Sequence, residues 1–162
     1  MEPEMVAAAF GLGGTLVGAA ASVSAVIWQQ RKIAREAERT HLAGLSEAAA
    51  NECVRLSYKI QDHFVEAVLD RESSAYWSWK SEVEEMCRSV DEQALRFHDE
   101  QIRIFLTHCH AEILVRPEFI ADPDAWPLRY QIICEDIRAV MGAVLRHQPF
   151  PKDVWEHYPS PS

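Results

Sequence analysis

An all-α protein with one membrane-crossing segment is what this 162-residue chain predicts, and a few observations carry that expectation. Residues 5–28 hold no charged side chain, and Arg31, Lys32, Arg35 and Arg39 follow at once. From residue 29 no proline occurs until Pro117, and glycine occurs in that stretch only at Gly44. Apolar residues then recur at helical spacing, and no segment alternates with period two for long enough to make a strand. The predicted architecture is an N-terminal transmembrane helix continuing into a long helix, with a small antiparallel helical bundle.

A helix rises about 1.5 Å per residue, so residues 5–28 extend about 36 Å, enough to cross a hydrocarbon core of about 30 Å with some tilt. Thr15, Ser22 and Ser24 are polar, and each can bond back to its own helix. Trp28 stands where an interfacial aromatic belongs. Glu2 and Glu4 lie on one flank and the basic cluster on the other. The positive-inside bias therefore puts residues 1–4 outside the cell and the body in the cytoplasm, as a single-pass protein of the cell membrane. A cleaved signal peptide is disfavoured by the acidic N-terminus and the length of the run. Gly14, Gly18 and Ser22 repeat every four residues with Gly11 and Thr15 beside them. Such a ladder lets helices approach closely in lipid, so the span is expected to self-associate.

Residues 29–148 are read as the cytoplasmic bundle. Leu42, Leu45, Ala49, Cys53, Leu56, Ile60, Phe64 and Val68 form one stripe, opposite Glu47, Arg55, Lys59 and Glu66. The span and this segment read as one helix, bent at Gly44; unbroken, it would reach about 60 Å from the bilayer. Its stripe would pack in the body or, as a coiled coil, against a second copy. Ser73 and Ser74 offer a stop or a cap. Tyr76, Trp77 and Trp79 then crowd together, either as a plug at one end of the bundle, the favoured reading, or as an interaction surface.

A second tract from about residue 79 to 115 carries Val83, Cys87, Val90, Ala94, Phe97, Phe105, Cys109 and Ile113 on one stripe. The pattern thins at His98 and Asp99, where Gln101 takes an apolar place and Ile102 drifts off, so a kink or short break is expected there. Pro117 ends the tract. Residues 122–127, Asp-Pro-Asp-Ala-Trp-Pro, read as a helix start. Leu128, Ile132, Ile133, Ile137, Val140, Met141, Val144 and Leu145 then give an apolar face, with Arg129, Glu135, Asp136 and Arg146 outside it. Residues 149–162 contain four prolines and read as an extended tail, able to dock through Phe150, Trp155 and Tyr158.

The net charge is −9, and every Lys and Arg lies after Trp28. An acidic body disfavours nucleic acid as a partner, while the basic flank suits anionic headgroups. Cys53, Cys87, Cys109 and Cys134 show no CxxC pairing and read as reduced, space-filling thiols. His108-Cys109-His110 draws notice, but residues two apart on a helix point about 200° apart and cannot share one ion. Glu112, four after His108, leaves at most a two-ligand site. Glu82, Glu84, Glu85, Asp91 and Glu92 read as a solvated face, and Glu38-x-x-His41 is a single copy of a pattern that di-iron bundles need twice. No catalytic motif and no cofactor site emerges.

Residues 11–39, GLGGTLVGAAASVSAVIWQQRKIAREAER, resemble the start of many short hypothetical proteins of actinobacteria, streptomycete-like genomes especially. The resemblance implies a Gly-rich single span leading into an Ala-, Glu- and Arg-rich helix and a compact helical body. It carries no catalytic residue. The expected function is a membrane-anchored, self-associating interaction or scaffold protein whose partners are the bilayer, a second copy and another protein. A membrane-tethered small enzyme or metal-binding domain is the alternative.

Overall fold

The computed structural model describes residues 3–65, 72–114 and 126–158, with side chains from residue 22 in the first stretch and from residue 128 in the last. Among these residues the regular structure is helical, without a strand. Helix α1 is Pro3–Val65, α2 Ser74–Ala94, α3 Glu100–Leu114 and α4 Trp126–Leu145, and a 3₁₀ helix follows at Lys152–His157. The chain divides into two units, residues 1–41 and residues 42–162.

The first unit is the N-terminal part of α1. Val23, Val26, Ile27 and Trp28 are exposed on it, as is Ile33. Among the described residues no helix is long and apolar enough to cross a membrane. Of the uncharged run, only the part from Ser22 onward has side chains among those residues. The side-chain surroundings of Gly11, Gly14 and Gly18 lie outside them, and Ser22 is exposed.

The second unit is the helical bundle. From α1 it takes Ala49, Ala50, Cys53, Leu56 and Ile60 into its core, with Phe64 packed at the edge. Leu42, at the start of the predicted stripe, is 40% exposed, and Val68 lies outside the described residues. Helix α2 begins earlier than the apolar pattern suggested. Ser73 is its N-cap, in extended backbone geometry, and its Oγ accepts the Tyr76 N–H at 3.2 Å. That bond satisfies one of the donors a helix start leaves open. The buried face of α2 is Tyr76, Trp79, Val83, Cys87, Val90 and Ala94.

The thinning at His98 and Asp99 is a true break. Helix α2 stops at Ala94, Leu95 points outward, and Phe97 turns inward to 2% exposure. Asp99 Oδ1 accepts the Gln101 N–H at 2.8 Å and starts α3. Arg103 Nη1 donates to the carbonyls of Phe97 and His98 at 2.9 and 3.0 Å, closing the corner. Because α3 restarts in a new phase, Ile102 is buried with Phe105, Leu106, Cys109 and Ile113. The predicted end at Pro117 and the helix start at 122 lie outside the described residues.

In α4 the buried face is Tyr130, Ile133, Cys134, Ile137, Val140 and Met141. Two expectations are corrected here. Leu128, placed inside by periodicity, is 58% exposed, and Asp136, placed outside, is 6% exposed. For Asp136 the C-terminal segment is the cause, since His157 packs on this side of α4 and turns a solvated flank into an interior one. In its described part, residues 149–158, that segment is not extended throughout as predicted. Pro151 leads into the 3₁₀ helix, Val154 and Tyr158 are buried, and Phe150 and Trp155 pack against the core. Proline is tolerated at a helix entrance because the first N–H groups have no intrahelical partner.

Candidate functional site

The basic flank lies on an exposed stretch of α1 within the first unit. Trp28 is 68% exposed, and Lys32 Nζ stands 5.9 Å from the centroid of its ring, the geometry of a cation–π contact. Arg31, Arg35 and Arg39 are exposed beside them. Glu36 lies 3.9 Å from Lys32 Nζ. A shallow groove of about 340 Å³ runs between Trp28, Arg31, Lys32, Arg35, Glu36 and Arg39. What such a surface can do chemically is hold anions: it offers three guanidinium forks and an ammonium against the one carboxylate, Glu36, that lines the groove.

The aromatic trio is divided rather than presented as one surface. Tyr76 and Trp79 are core residues, and only Trp77 is exposed, with Lys80 Nζ 5.4 Å from its ring. Trp79 Nε1 donates to the His63 carbonyl at 3.0 Å, its ring stacks on His63, and Phe64 meets it edge-on at 5.2 Å. Phe64 in turn stacks on Tyr130 at 3.7 Å. Burial of Tyr76 and Trp79 corrects the interaction-surface reading for those two residues. Their area goes into joining α1, α2 and α4 within the bundle.

The residues singled out for chemistry do not converge. His110 Nδ1 pairs with Asp91 Oδ2, Glu112 pairs with Arg129, and His108 lies edge-on to Trp155 and Tyr158. Among the described residues no group of three or more His, Cys, Asp or Glu side chains is placed to hold a metal ion.

The C-terminal segment docks through Phe150, Trp155 and Tyr158, as the sequence suggested, and brings with it polar contacts that the sequence did not indicate. Tyr158 Oη is 3.6 Å from Cys109 Sγ, and His157 Nδ1 is 2.9 Å from Asp136 Oδ2. Phe105 is fully buried beneath, with Phe150, Trp155 and Tyr158 edge-on around it at 5.7–5.9 Å. Burial pushes the Tyr158 phenol far above its usual range, and the neighbouring Cys109 and Asp136 push it further. Burial likewise raises Cys109. The hydrogen bond to Asp136 raises His157. Both the phenol and the thiol are therefore held in their protonated forms at neutral pH. The arrangement is suited to holding the segment down. A groove of about 280 Å³ beside it is floored by Leu128, Ile132 and Ile133 and edged by Arg129, Glu112 and His157. The sequence signal for this docking is the aromatic set Phe150, Trp155 and Tyr158, which the buried Val154 joins.

No protein-family model, no curated protein and no solved structure matches this chain.

Proposed function

We propose that the chain is a membrane-anchored helical protein that acts by binding, to itself through the anchor and to another protein through the bundle. The observation that carries this reading is the uncharged run of residues 5–28 followed immediately by four cations. Its support in the fold is that helix is continuous across both, from Pro3 to Val65, and that Val23, Val26, Ile27 and Trp28 project outward from it. Exposed apolar side chains at successive positions of one helix are costly in water and favourable in lipid. The Gly14–Gly18–Ser22 ladder, with Gly11 beside it, is the natural contact between two copies. The N-terminus then faces outward and the bundle lies in the cytoplasm.

The deciding experiment is alkaline carbonate extraction of membranes from cells making the full chain. The protein is expected in the pellet, and release into the supernatant would remove the anchor and the orientation together. Topology needs an introduced thiol, because the native four are buried. Ala75→Cys, on the exposed start of α2, should react with an impermeant maleimide only after lysis. Replacing Gly14 and Gly18 by leucine should lower crosslinked dimer several-fold while leaving carbonate resistance intact, because leucine blocks close approach without reducing hydrophobicity.

A further inference from the structure

The positive-inside bias counts charges near a span and is indifferent to which side of the helix carries them. In this protein the side is specified. At about 100° per residue, Trp28, Arg31, Lys32, Arg35 and Arg39 fall within an arc of about 100°, over an axial length of about 16 Å. Glu36 and Glu38 border that arc, one on each side, and Gln30, Ile33, Ala34 and Ala37 make the far face without a charge. The four cations line one groove with the exposed indole of Trp28, and Glu36, 3.9 Å from Lys32 Nζ, is the one acid in its lining.

From this juxtaposition we propose that the Trp28–Arg39 face of α1 is a binding face for the phosphates of anionic phospholipids. The proposal rests on residues 5–28 crossing the bilayer, which puts Trp28 at the interface and the cations within the headgroup layer. Charge complementarity selects the occupant. Four cations on one face meet a negatively charged leaflet, while the rest of this net acidic chain is repelled by a polyanion. Trp28 anchors at the interface as its amphipathic ring favours. Arg31, Arg35 and Arg39 offer forked donors to phosphate oxygens, and Lys32 adds a point charge. The helix would consequently incline toward the bilayer on this face.

The test compares the full chain with a variant of identical composition in which two cations change sides: Gln30→Arg with Arg31→Gln, and Ala34→Arg with Arg35→Ala. Both proteins are reconstituted into phosphatidylcholine bilayers, and the association of spin-labelled phosphatidylglycerol is measured against spin-labelled phosphatidylcholine. The native chain is expected to prefer phosphatidylglycerol by about threefold or more, with the preference shrinking as salt shortens the screening length. The repositioned variant should lose most of that preference while resisting carbonate extraction as before. Equal preference in the two proteins would overturn the proposal, because charge number alone would then suffice. So would an absence of preference in the native chain, or displacement of the labelled lipid by duplex DNA at equal phosphate. If carbonate strips both proteins, the span reading fails on its own. Flotation with phosphatidylglycerol against phosphatidylcholine vesicles then reads the face separately: selective flotation of the native chain supports it, and none in either overturns it.

Discussion

His147 has φ 53, the one non-glycine residue at positive φ among the described residues. It occupies the position after α4 that glycine most often fills. The Gln148 N–H reaches back to the Ala143 carbonyl at 2.8 Å and the His147 N–H to Val144 at 3.0 Å, the paired closure of a left-handed helix end. A side chain with a Cβ raises the energy of this conformation by about 1–2 kcal/mol. What the imidazole returns is small: Nε2 lies 3.7 Å from Glu47 Oε1, with both side chains largely exposed. His147→Gly should therefore stabilise the bundle, by about 0.5–1 kcal/mol once the extra chain entropy of glycine is deducted. Urea unfolding would show a higher midpoint at unchanged slope. A lower midpoint would mean that the contact with Glu47 outweighs the backbone strain.

Among elements, the C-terminal 3₁₀ helix is held in part by a titrating pair, His157 with Asp136. His157 has its folded value raised above the ordinary 6.5 by its bond to Asp136. A raised folded value means that the stabilisation is complete below about 6.5 and is lost as pH rises through the elevated value. His157→Gln should thus lower the stability of the docked segment most at pH 5–6, and the gap from the native chain should close in alkaline buffer. Tryptophan emission with pH reads this through Trp155, and a gap that widens with pH would contradict it. The same element shows why some of the fold could not be read from the chain alone. Helices α2 and α3 were readable because each predicted apolar position, Val83 to Ile113, is in fact buried. The corner between them announced itself by a failing stripe. The tail announced its docking by Phe150, Trp155 and Tyr158 but not its 3₁₀ helix, because its prolines argue for extension, nor its target Phe105, which lies on another helix. Asp136 looked solvated because its partner is 21 residues away and follows two prolines. As for the candidate binding face, its cations are plain in composition, whereas its one-sidedness needs an uninterrupted helix to set the register.

In the bundle as a body, each of the four helices buries one thiol: Cys53 in α1, Cys87 in α2, Cys109 in α3 and Cys134 in α4. Burial drives Cys53 and Cys87 up to about 12 and Cys134 to about 11, and Cys109 is raised as well. At pH 8 only about one in ten thousand of a thiol at 12 is ionised, so reaction of the closed form is negligible and labelling must wait for opening. The four sites then report which parts open together. Cys53, Cys87 and Cys134 are held between long helices and should become reactive only when the bundle unfolds. Cys109 differs, because Tyr158 covers it and the segment bearing Tyr158 is short and terminal. Local release of such a segment costs less free energy than global unfolding. Mass-spectrometric labelling in native buffer should accordingly find Cys109 modified first, about tenfold faster than the other three, which should share one rate. Mutating Tyr158 to alanine should widen that lead, and denaturant should erase it. One common rate for all four thiols would mean that the tail and the four helices open as a single unit, and that Tyr158 is as firmly held as Phe105.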